Sequence, residues 1–291
     1  MENLISKAAT LQEALPYIQR FRGSIVVVKF GGSAMEDPEL IKMTARDIVL
    51  MECIGMKPVI VHGGGKAITA RMKELNIETR FVNGMRVTCE KTIEVVDDVL
   101  HNVINKHLVE CIHESGGKAQ SISGKDTIKA VKMLSKDPGT GEEIDLGAVG
   151  DITSVDPQLI LEAIQSDSVP VITPLGRGKD GQIFNINADI AACKVAEALR
   201  ARKLVFLSDV PGILRDKDDE SSIIPTIKVS EVQGLIDSKI INGGMLPKIK
   251  SCLHALEVGS NKVHMIDGRI THSLLLEIFT DEGIGTEIIK A

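Results

Sequence analysis

Two runs of β-branched residues early in the chain each break off directly into glycines. Ile25-Val26-Val27-Val28-Lys29-Phe30 leads into Gly31-Gly32, and Pro58-Val59-Ile60-Val61-His62 leads into Gly63-Gly64-Gly65, with a helical stretch from Pro38 to Cys53 between them. Unbroken apolar strands alternating with helices are the pattern of a parallel sheet covered on both faces, since a strand with one wet face would alternate instead. Ligands on such sheets sit beyond the carboxyl ends of the strands, where both glycine turns fall. Glycine has no β-carbon, so its backbone can approach an anion closely and aim N–H dipoles at it, best at the start of a helix. A pair of such turns points to a phosphate-bearing ligand.

The pattern continues along the chain. Residues 119–122, 169–174 and 203–207 predict further strands, and residues 92–113 and 188–202 predict helices. Residues 128–133 and 144–152, joined by the turn Asp137-Pro138-Gly139-Thr140-Gly141-Glu142, predict a hairpin laid over the edge or mouth of the sheet. Leu4, Ala8, Leu11, Leu15 and Ile18 recur at helical steps, which predicts an amphipathic helix ahead of the main domain, with Pro16 able to bend it. A second α/β half is expected to begin near residue 180.

Composition removes several function classes. The 34 basic and 40 acidic side chains are interspersed and leave a net charge of −6, so no cationic face offers itself to nucleic acid. With six Phe, one Tyr and no Trp, the chain lacks stacking platforms for bases, and its core must be aliphatic. No apolar run reaches the roughly 18 residues of a membrane helix. Five cysteines, widely spaced and without a Cys-x-x-Cys pair, fit reduced thiols in the cytoplasm.

Candidate chemistry starts from charges in unfavourable places. Lys29 interrupts an apolar strand just before its glycines, a costly position unless it faces a bound anion. Lys248 follows Gly243-Gly244-Met245-Leu246-Pro247 at the start of a helix, where the dipole favours an anion over a cation. Asp189 falls in the first turn of another helix, a position that capping alone would explain. His107, Cys111 and His113 lie in one amphipathic helix with no second ligand cluster, so no metal site is predicted. Gly-x-x-x-x-Gly-Lys-Ser/Thr and Gly-x-Ser-x-Gly are missing, and the turn Gly63-Gly64-Gly65 after its strand lacks the third spaced glycine of the dinucleotide fingerprint, which disfavours a P-loop NTPase, a serine hydrolase and a Rossmann dehydrogenase. Gly65-Lys66-Ala67 and Gly124-Lys125-Asp126 are near misses.

Taken in order, Lys29-Phe30-Gly31-Gly32-Ser33, Val61-His62-Gly63-Gly64-Gly65, Gly84-Met85-Arg86-Val87-Thr88, Ser123-Gly124-Lys125-Asp126, Asn185-Ile186-Asn187-Ala188-Asp189, Leu207-Ser208-Asp209-Val210-Pro211-Gly212 and Gly243-Gly244-Met245-Leu246-Pro247-Lys248 resemble the amino acid kinase family from Val26 to the end of the chain. The resemblance implies an α/β fold: a three-layer αβα sandwich with a mainly parallel central sheet, plus an N-terminal helix. It implies three parts, with residues 1–22 as a helix for oligomerisation and regulation, 23–180 binding the acceptor, and 181–291 binding ATP.

In the branch most resembled, the acceptor is the side-chain carboxylate of N-acetyl-L-glutamate, in the second step of arginine biosynthesis. ATP is the co-substrate and carries Mg2+. A relative acting on acetylaminoadipate is the alternative. Lys29 and Lys248 would neutralise the transferring phosphoryl group, with Asp189 holding both lysines. Gly64, Gly65, Arg86, Asn185 and Asn187 would bind the acceptor, Arg86 gripping its α-carboxylate. Gly31, Gly32, Ser208, Asp209, Val210, Pro211, Gly212, Ile213, Ile240, Ile241 and Asn242 would border the nucleotide. The N-terminal helix and the segment around His272 resemble the arginine-inhibited hexamers of the family, assembled as trimers of dimers. Tyr17, His272, Glu277 and Gly285 would then lie near an arginine pocket.

Overall fold

The computed structural model describes residues 2–136, 141–243, 245–257, 262–280 and 283–290. The first half contains α1 (Glu2–Phe21), β1 (Ile25–Phe30), α2 (Pro38–Cys53), β2 (Lys57–His62), α3 (Gly65–Glu74), β3 (Phe81–Val82), β4 (Met85–Arg86), α4 (Glu90–Asp98) and α5 (Lys106–Glu114). It continues through β5 (Ala119–Ile122), α6 (Gly124–Thr127), β6 (Ile128–Lys136), β7 (Glu143–Val155), α7 (Gln158–Gln165), β8 (Val169–Ile172), β9 (Leu175–Arg177) and β10 (Ile183–Asn185). The rest is α8 (Ala188–Ala198), β11 (Lys203–Ser208), β12 (Thr226–Lys228), α9 (Val229–Asp237), α10 (Met245–Glu257), β13 (Lys262–Asp267), α11 (Ser273–Ile278) and β14 (Thr286–Ile289).

An eight-stranded sheet in the order β12-β14-β13-β11-β1-β2-β8-β5 forms the middle layer. Every neighbouring pair in it is parallel except β13 with β14. β1 sits at its centre, bonded to β2 on one side and β11 on the other, so the sheet runs unbroken through both halves of the chain. Alternation along β1 sends Val26, Val28 and Phe30 to one face and Val27 to the other, and each face carries its own aliphatic cluster. α2, α4 and α5 cover the first face, while α7, α8 and α10 cover the second. This is the expected three-layer α/β architecture.

Local rules explain several boundaries. α2 starts where Asp37 accepts from the Glu39 and Leu40 amides, at 2.8 and 3.4 Å, with Pro38 in the first turn. The long helix expected over residues 92–113 spans α4 and α5, but a π-helical segment, Val99–Asn105, lies between them. β6 and β7 form the expected antiparallel hairpin, and together with β9 and β10 they close a four-stranded barrel. The barrel has no sequence signal, since three-residue strands such as β9 and β10 are too short to show a period. Residues 137–140 of the expected turn lie outside the described residues, as does Gly244. β10 follows residue 180 yet pairs with β7 and β9 of the first half.

α1 runs through Pro16 to Phe21. Its apolar stripe is only partly used by the chain: Leu4, Ile5 and Leu11 are 65%, 62% and 74% exposed, while Phe21 is buried at 4%.

Candidate active site

Three neighbouring parallel strands end level with one another. Phe30 at the end of β1 lies opposite His62 of β2 and Leu207 of β11, so the turns at Gly31-Gly32, Gly63-Gly64-Gly65 and Asp209-Val210-Pro211-Gly212 emerge side by side. The Gly63 amide donates to the Phe30 carbonyl at 2.7 Å and ties the first two turns together.

A cleft of about 250 Å³ opens over them, lined among others by Lys29, Gly31, Gly32, Gly64, Gly65, Arg86, Asn185, Asn187 and Asp189. Strand alternation puts Lys29 on the same face as Val27, the face covered by α8, and its ammonium reaches Asp189 Oδ1 at 2.9 Å. The two side chains are only 13% and 18% exposed. Gly31 makes room for this: a β-carbon there would stand 2.5 Å from Lys29 Nζ. Asp189 holds one lysine, not two as expected, because Lys248 is bound to Asp209 Oδ1 at 2.9 Å.

The polar residues around the cleft are partly committed already. Asn187 caps α8, its Oδ1 accepting from the Asp189 and Ile190 amides at 2.8 and 3.1 Å, so only its amide nitrogen is left to meet a ligand. Asn185 donates to Thr88 Oγ1 at 3.2 Å. Arg86 is buried, and Nη2 donates to the Gly65 carbonyl and to Thr69 Oγ1, both at 2.8 Å. Its guanidinium also lies 4.7 Å from the centre of the Phe81 ring. Burial lowers the Arg86 pKa, yet a guanidinium stays charged. Thr69 as a holder of Arg86 carries no signal in the sequence.

Beside this cleft lies a second of about 360 Å³, lined by Asp209, Val210, Pro211, Gly212, Ile213, Ile240 and Asn242 together with Lys217, Glu220 and Arg269. The Lys248 ammonium beside it draws the Asp209 carboxyl below its usual range. Two expected members turn away. Ser208 is buried, with its hydroxyl bonded to Val210 and Ile266 backbone, and Ile241 is packed into the core at 1% exposure. Gly31 and Gly32 line the first cleft rather than this one. Lys217 and Arg269 stand in polar stretches that gave no reason to single them out.

The near-miss phosphate loop is accounted for by packing: Lys125 is bound to Asp97 at 2.7 Å. Among the described residues, no group of three or more His, Cys, Asp or Glu is arranged to hold a metal ion, and no helix is long and apolar enough to cross a membrane.

A third cavity, about 300 Å³, lies beneath the end of α1 and brings Tyr17, Glu277 and Gly285 together with Lys203, Lys262, His264 and Glu287. His272 is not part of it, since its Nδ1 is bound to Asp47 at 2.6 Å on α2. Burial would raise the Glu277 carboxyl, but His264, at 2.5 Å, and the Ile284 amide outweigh it and hold that carboxyl below its ordinary range. Burial lowers the Lys203 ammonium.

Gly64 is tightly enclosed. A β-carbon there would lie 2.6 Å from Leu100 Cδ2 and 2.7 Å from Ile104 Cδ1, both in the π segment. Gly64→Ala is expected to cost about 1–3 kcal/mol of stability through overpacking. A lower urea midpoint at unchanged m-value would show it.

A central parallel sheet with paired ligand clefts at its carboxyl edge defines a class, and the family model agrees: residues 24–267 match the amino acid kinase family. The chain belongs to that family, and it is an enzyme. It is 51% identical over 286 residues to the acetylglutamate kinase of Petrotoga mobilis, covering 98% of this chain and 94% of the relative. It is 52% identical over 288 residues to that of Caldanaerobacter subterraneus, with the same coverage of each. Among solved structures, N-acetylglutamate synthase from Neisseria gonorrhoeae, complexed with coenzyme A and N-acetyl-glutamate, superposes with a TM-score of 0.83 at 28% identity. That match covers 98% of this chain and 63% of the synthase, so the chain spans less than two thirds of it. Giardia carbamate kinase, at 14% identity and a TM-score of 0.65 over 92% of this chain and 99% of that one, shares the fold.

Proposed function

We propose that the chain transfers the γ-phosphoryl group of ATP to the side-chain carboxylate of N-acetyl-L-glutamate, giving N-acetyl-L-glutamyl 5-phosphate and ADP, the second step of arginine biosynthesis. The observation that carries this reading is the pair of cations, Lys29 and Arg86, facing one glycine-floored cleft that abuts a second cleft suited to a nucleotide. Relatives near 50% identity named as acetylglutamate kinases supply the acceptor.

The chemistry asks little of the protein beyond position and charge. The acceptor is already ionised, so no general base is required, and no nucleophilic side chain intervenes. Arg86 would fix the α-carboxylate, and the Gly64 and Gly65 backbone, which it adjoins through the Gly65 carbonyl, would offer its amides to the acceptor's oxygens. Lys29, held by Asp189, and Lys248, held by Asp209, offset the negative charge of the migrating group. Residues 23–180, with Asn185 and Asn187 just beyond, would carry the acceptor site and residues 181–291 most of the nucleotide site, bordered by Asp209 to Ile213, Ile240 and Asn242. Mg2+ belongs to the nucleotide, where it would neutralise phosphate charge; the carboxylates nearest the clefts, Asp189 and Asp209, are already bound to lysines. A cytoplasmic site of action fits five cysteines that are all unbridged.

An ATP-dependent hydroxamate assay across N-acetylglutamate, glutamate, aspartate and acetylaminoadipate tests this directly. Preference for acetylaminoadipate, one methylene longer, or no product from any of the four, refutes it.

Regulation is the finer part of the reading. The cavity under α1 carries the carboxylates of Glu277 and Glu287, paired here with His264 and Lys262, which an incoming guanidinium and ammonium would engage in their place, and a Neisseria synthase of the same fold is solved with L-arginine. The exposed leucines of α1 suit pairing with a second copy of the helix, as in a hexamer built from dimers. Deleting residues 2–20 is expected to abolish arginine inhibition and to reduce the particle size in gel filtration; unchanged values for both sink this part.

A further inference from the structure

His62 closes β2 and is fully buried beneath the catalytic cleft without lining it. Its two ring nitrogens meet partners of opposite demand. Nδ1 is 2.8 Å from the Gly63 carbonyl oxygen, which can only accept. Nε2 is 3.2 Å from the Asn105 amide nitrogen, which can only donate, and the same nitrogen donates to the Val171 carbonyl at 2.8 Å. The bond to Val171 fixes the orientation of the Asn105 carboxamide, since the flipped amide would set two carbonyl oxygens against each other. Both contacts therefore require one tautomer, protonated at Nδ1 and bare at Nε2. Burial keeps the ring neutral, with its pKa lowered to about 4.

Gly63 is consequently held at both ends, its N–H by the Phe30 carbonyl at 2.7 Å and its C=O by the imidazole. The chain contains no cis peptide among the described residues, and in a trans peptide the C=O of one residue and the N–H of the next point in opposite directions. A Gly63 carbonyl drawn down to the buried ring turns the Gly64 N–H up, toward the cleft that Gly63, Gly64 and Gly65 line. Gly64 also caps α3, whose first intrahelical bond is Ile68 N to Gly64 O at 2.9 Å, so the leading amides of that helix have no partner within it.

Building on the kinase reading above, we propose that His62 is a positioning residue for phosphoryl transfer: by gripping the Gly63 carbonyl, it aims the Gly64 N–H at the oxygens that gain negative charge as the phosphoryl group moves. Asn105, on the π segment, sets the ring's tautomer and is the reason the helix must present a donor at that point. The amide is worth more in the transition state than in the ground state, because it is fixed in advance and needs no reorganisation.

Two isosteric variants separate this role from simple packing. His62→Asn carries an amide nitrogen near the Nδ1 position and can still donate to Gly63. His62→Gln reaches the Nε2 position, keeps a partner for Asn105 and loses the donor to Gly63. With N-acetylglutamate and MgATP, the Gln variant is expected to lose at least about tenfold in kcat with KM for ATP within about threefold, and the Asn variant to recover most of that loss. Equal losses in the two variants, a deficit in KM alone, or kcat falling in step with thermal midpoint overturns the inference. Should either variant fail to fold, the wild-type protein still decides: long-range 1H–15N correlation on 15N-histidine-labelled enzyme must show His62 protonated at Nδ1, and an Nε2-protonated ring overturns the proposal. A wild-type protein without turnover sinks the kinase reading and this role with it. A wild-type protein that turns over while its variants split the wrong way sinks this role alone.

Discussion

Lys29→Ala and Lys248→Ala will each lower kcat by about a thousandfold, roughly 4 kcal/mol of barrier, while changing KM for ATP by less than about fivefold. The asymmetry follows from where charge develops. A loose phosphoryl-transfer transition state spreads charge over the migrating group, so an ammonium aimed there contributes chiefly at that point and little to binding the ground state. The two variants will nevertheless differ in stability. Lys29 and Asp189 are both largely buried, so removing the lysine strands a carboxylate that has little access to water. Lys248 and Asp209 are 30% and 49% exposed, and solvent screens the orphaned Asp209. Thermal midpoint should therefore fall in Lys29→Ala and stay nearly constant in Lys248→Ala. Equal losses of kcat and ATP affinity in both variants would show that the lysines bind nucleotide without serving the transfer.

Much of this site was legible because the same residues encode the strand and the turn. Ile25 to Phe30 and Pro58 to His62 predict buried strands by composition, and the glycines directly after them predict where those strands stop. The structure then needs only the parallel register of β1, β2 and β11 to bring three turns together. What could not be read was pairing. Nothing near Lys248 in the chain announces Asp209, and the family resemblance had assigned Asp189 to both lysines. The family resemblance placed Ser208 and Ile241 beside the nucleotide, yet alternation on β11 and packing behind α9 turn them inward.

The barrel and the π segment escaped for different reasons. β9 and β10 are too short to carry a period, and they pair only because β6 and β7 offer edges to them. A π turn adds one residue to a helix without changing its composition, so the amphipathic pattern over residues 92–113 reads as ordinary helix. His62 is the clearest case of chemistry hidden by position: its type and its place at a strand end were plain, but its role depends on Asn105 and on the direction of one peptide plane.

Arg86→Ala is expected to raise KM for N-acetylglutamate by about a hundredfold, close to 2.7 kcal/mol, with kcat reduced far less. In N-acetylglutamate the α-carboxylate is separated from the side-chain carboxylate by the carbon chain, so under the proposed assignment its grip would serve ground state and transition state almost equally. Arg86→Lys will not rescue the loss. The guanidinium in place spends both Nη2 protons on the Gly65 carbonyl and Thr69 and sets Nη1 against Met72 Sδ at 3.4 Å, and these bonds fix its plane at the wall of the cleft. A lysine ammonium is a point charge without that plane and cannot hold Gly65, hold Thr69 and meet a carboxylate in the same geometry. The Gly65 carbonyl belongs to the glycine turn itself, so the alanine variant also loosens the start of α3. That gives a second expected signature: Thr69→Val, which removes one anchor of Arg86 and leaves its charge, should raise KM for the acceptor several-fold in the same direction, with ATP KM unmoved. If Thr69→Val and Arg86→Ala change KM for ATP instead, the first cleft holds the nucleotide and the two sites have been assigned the wrong way round.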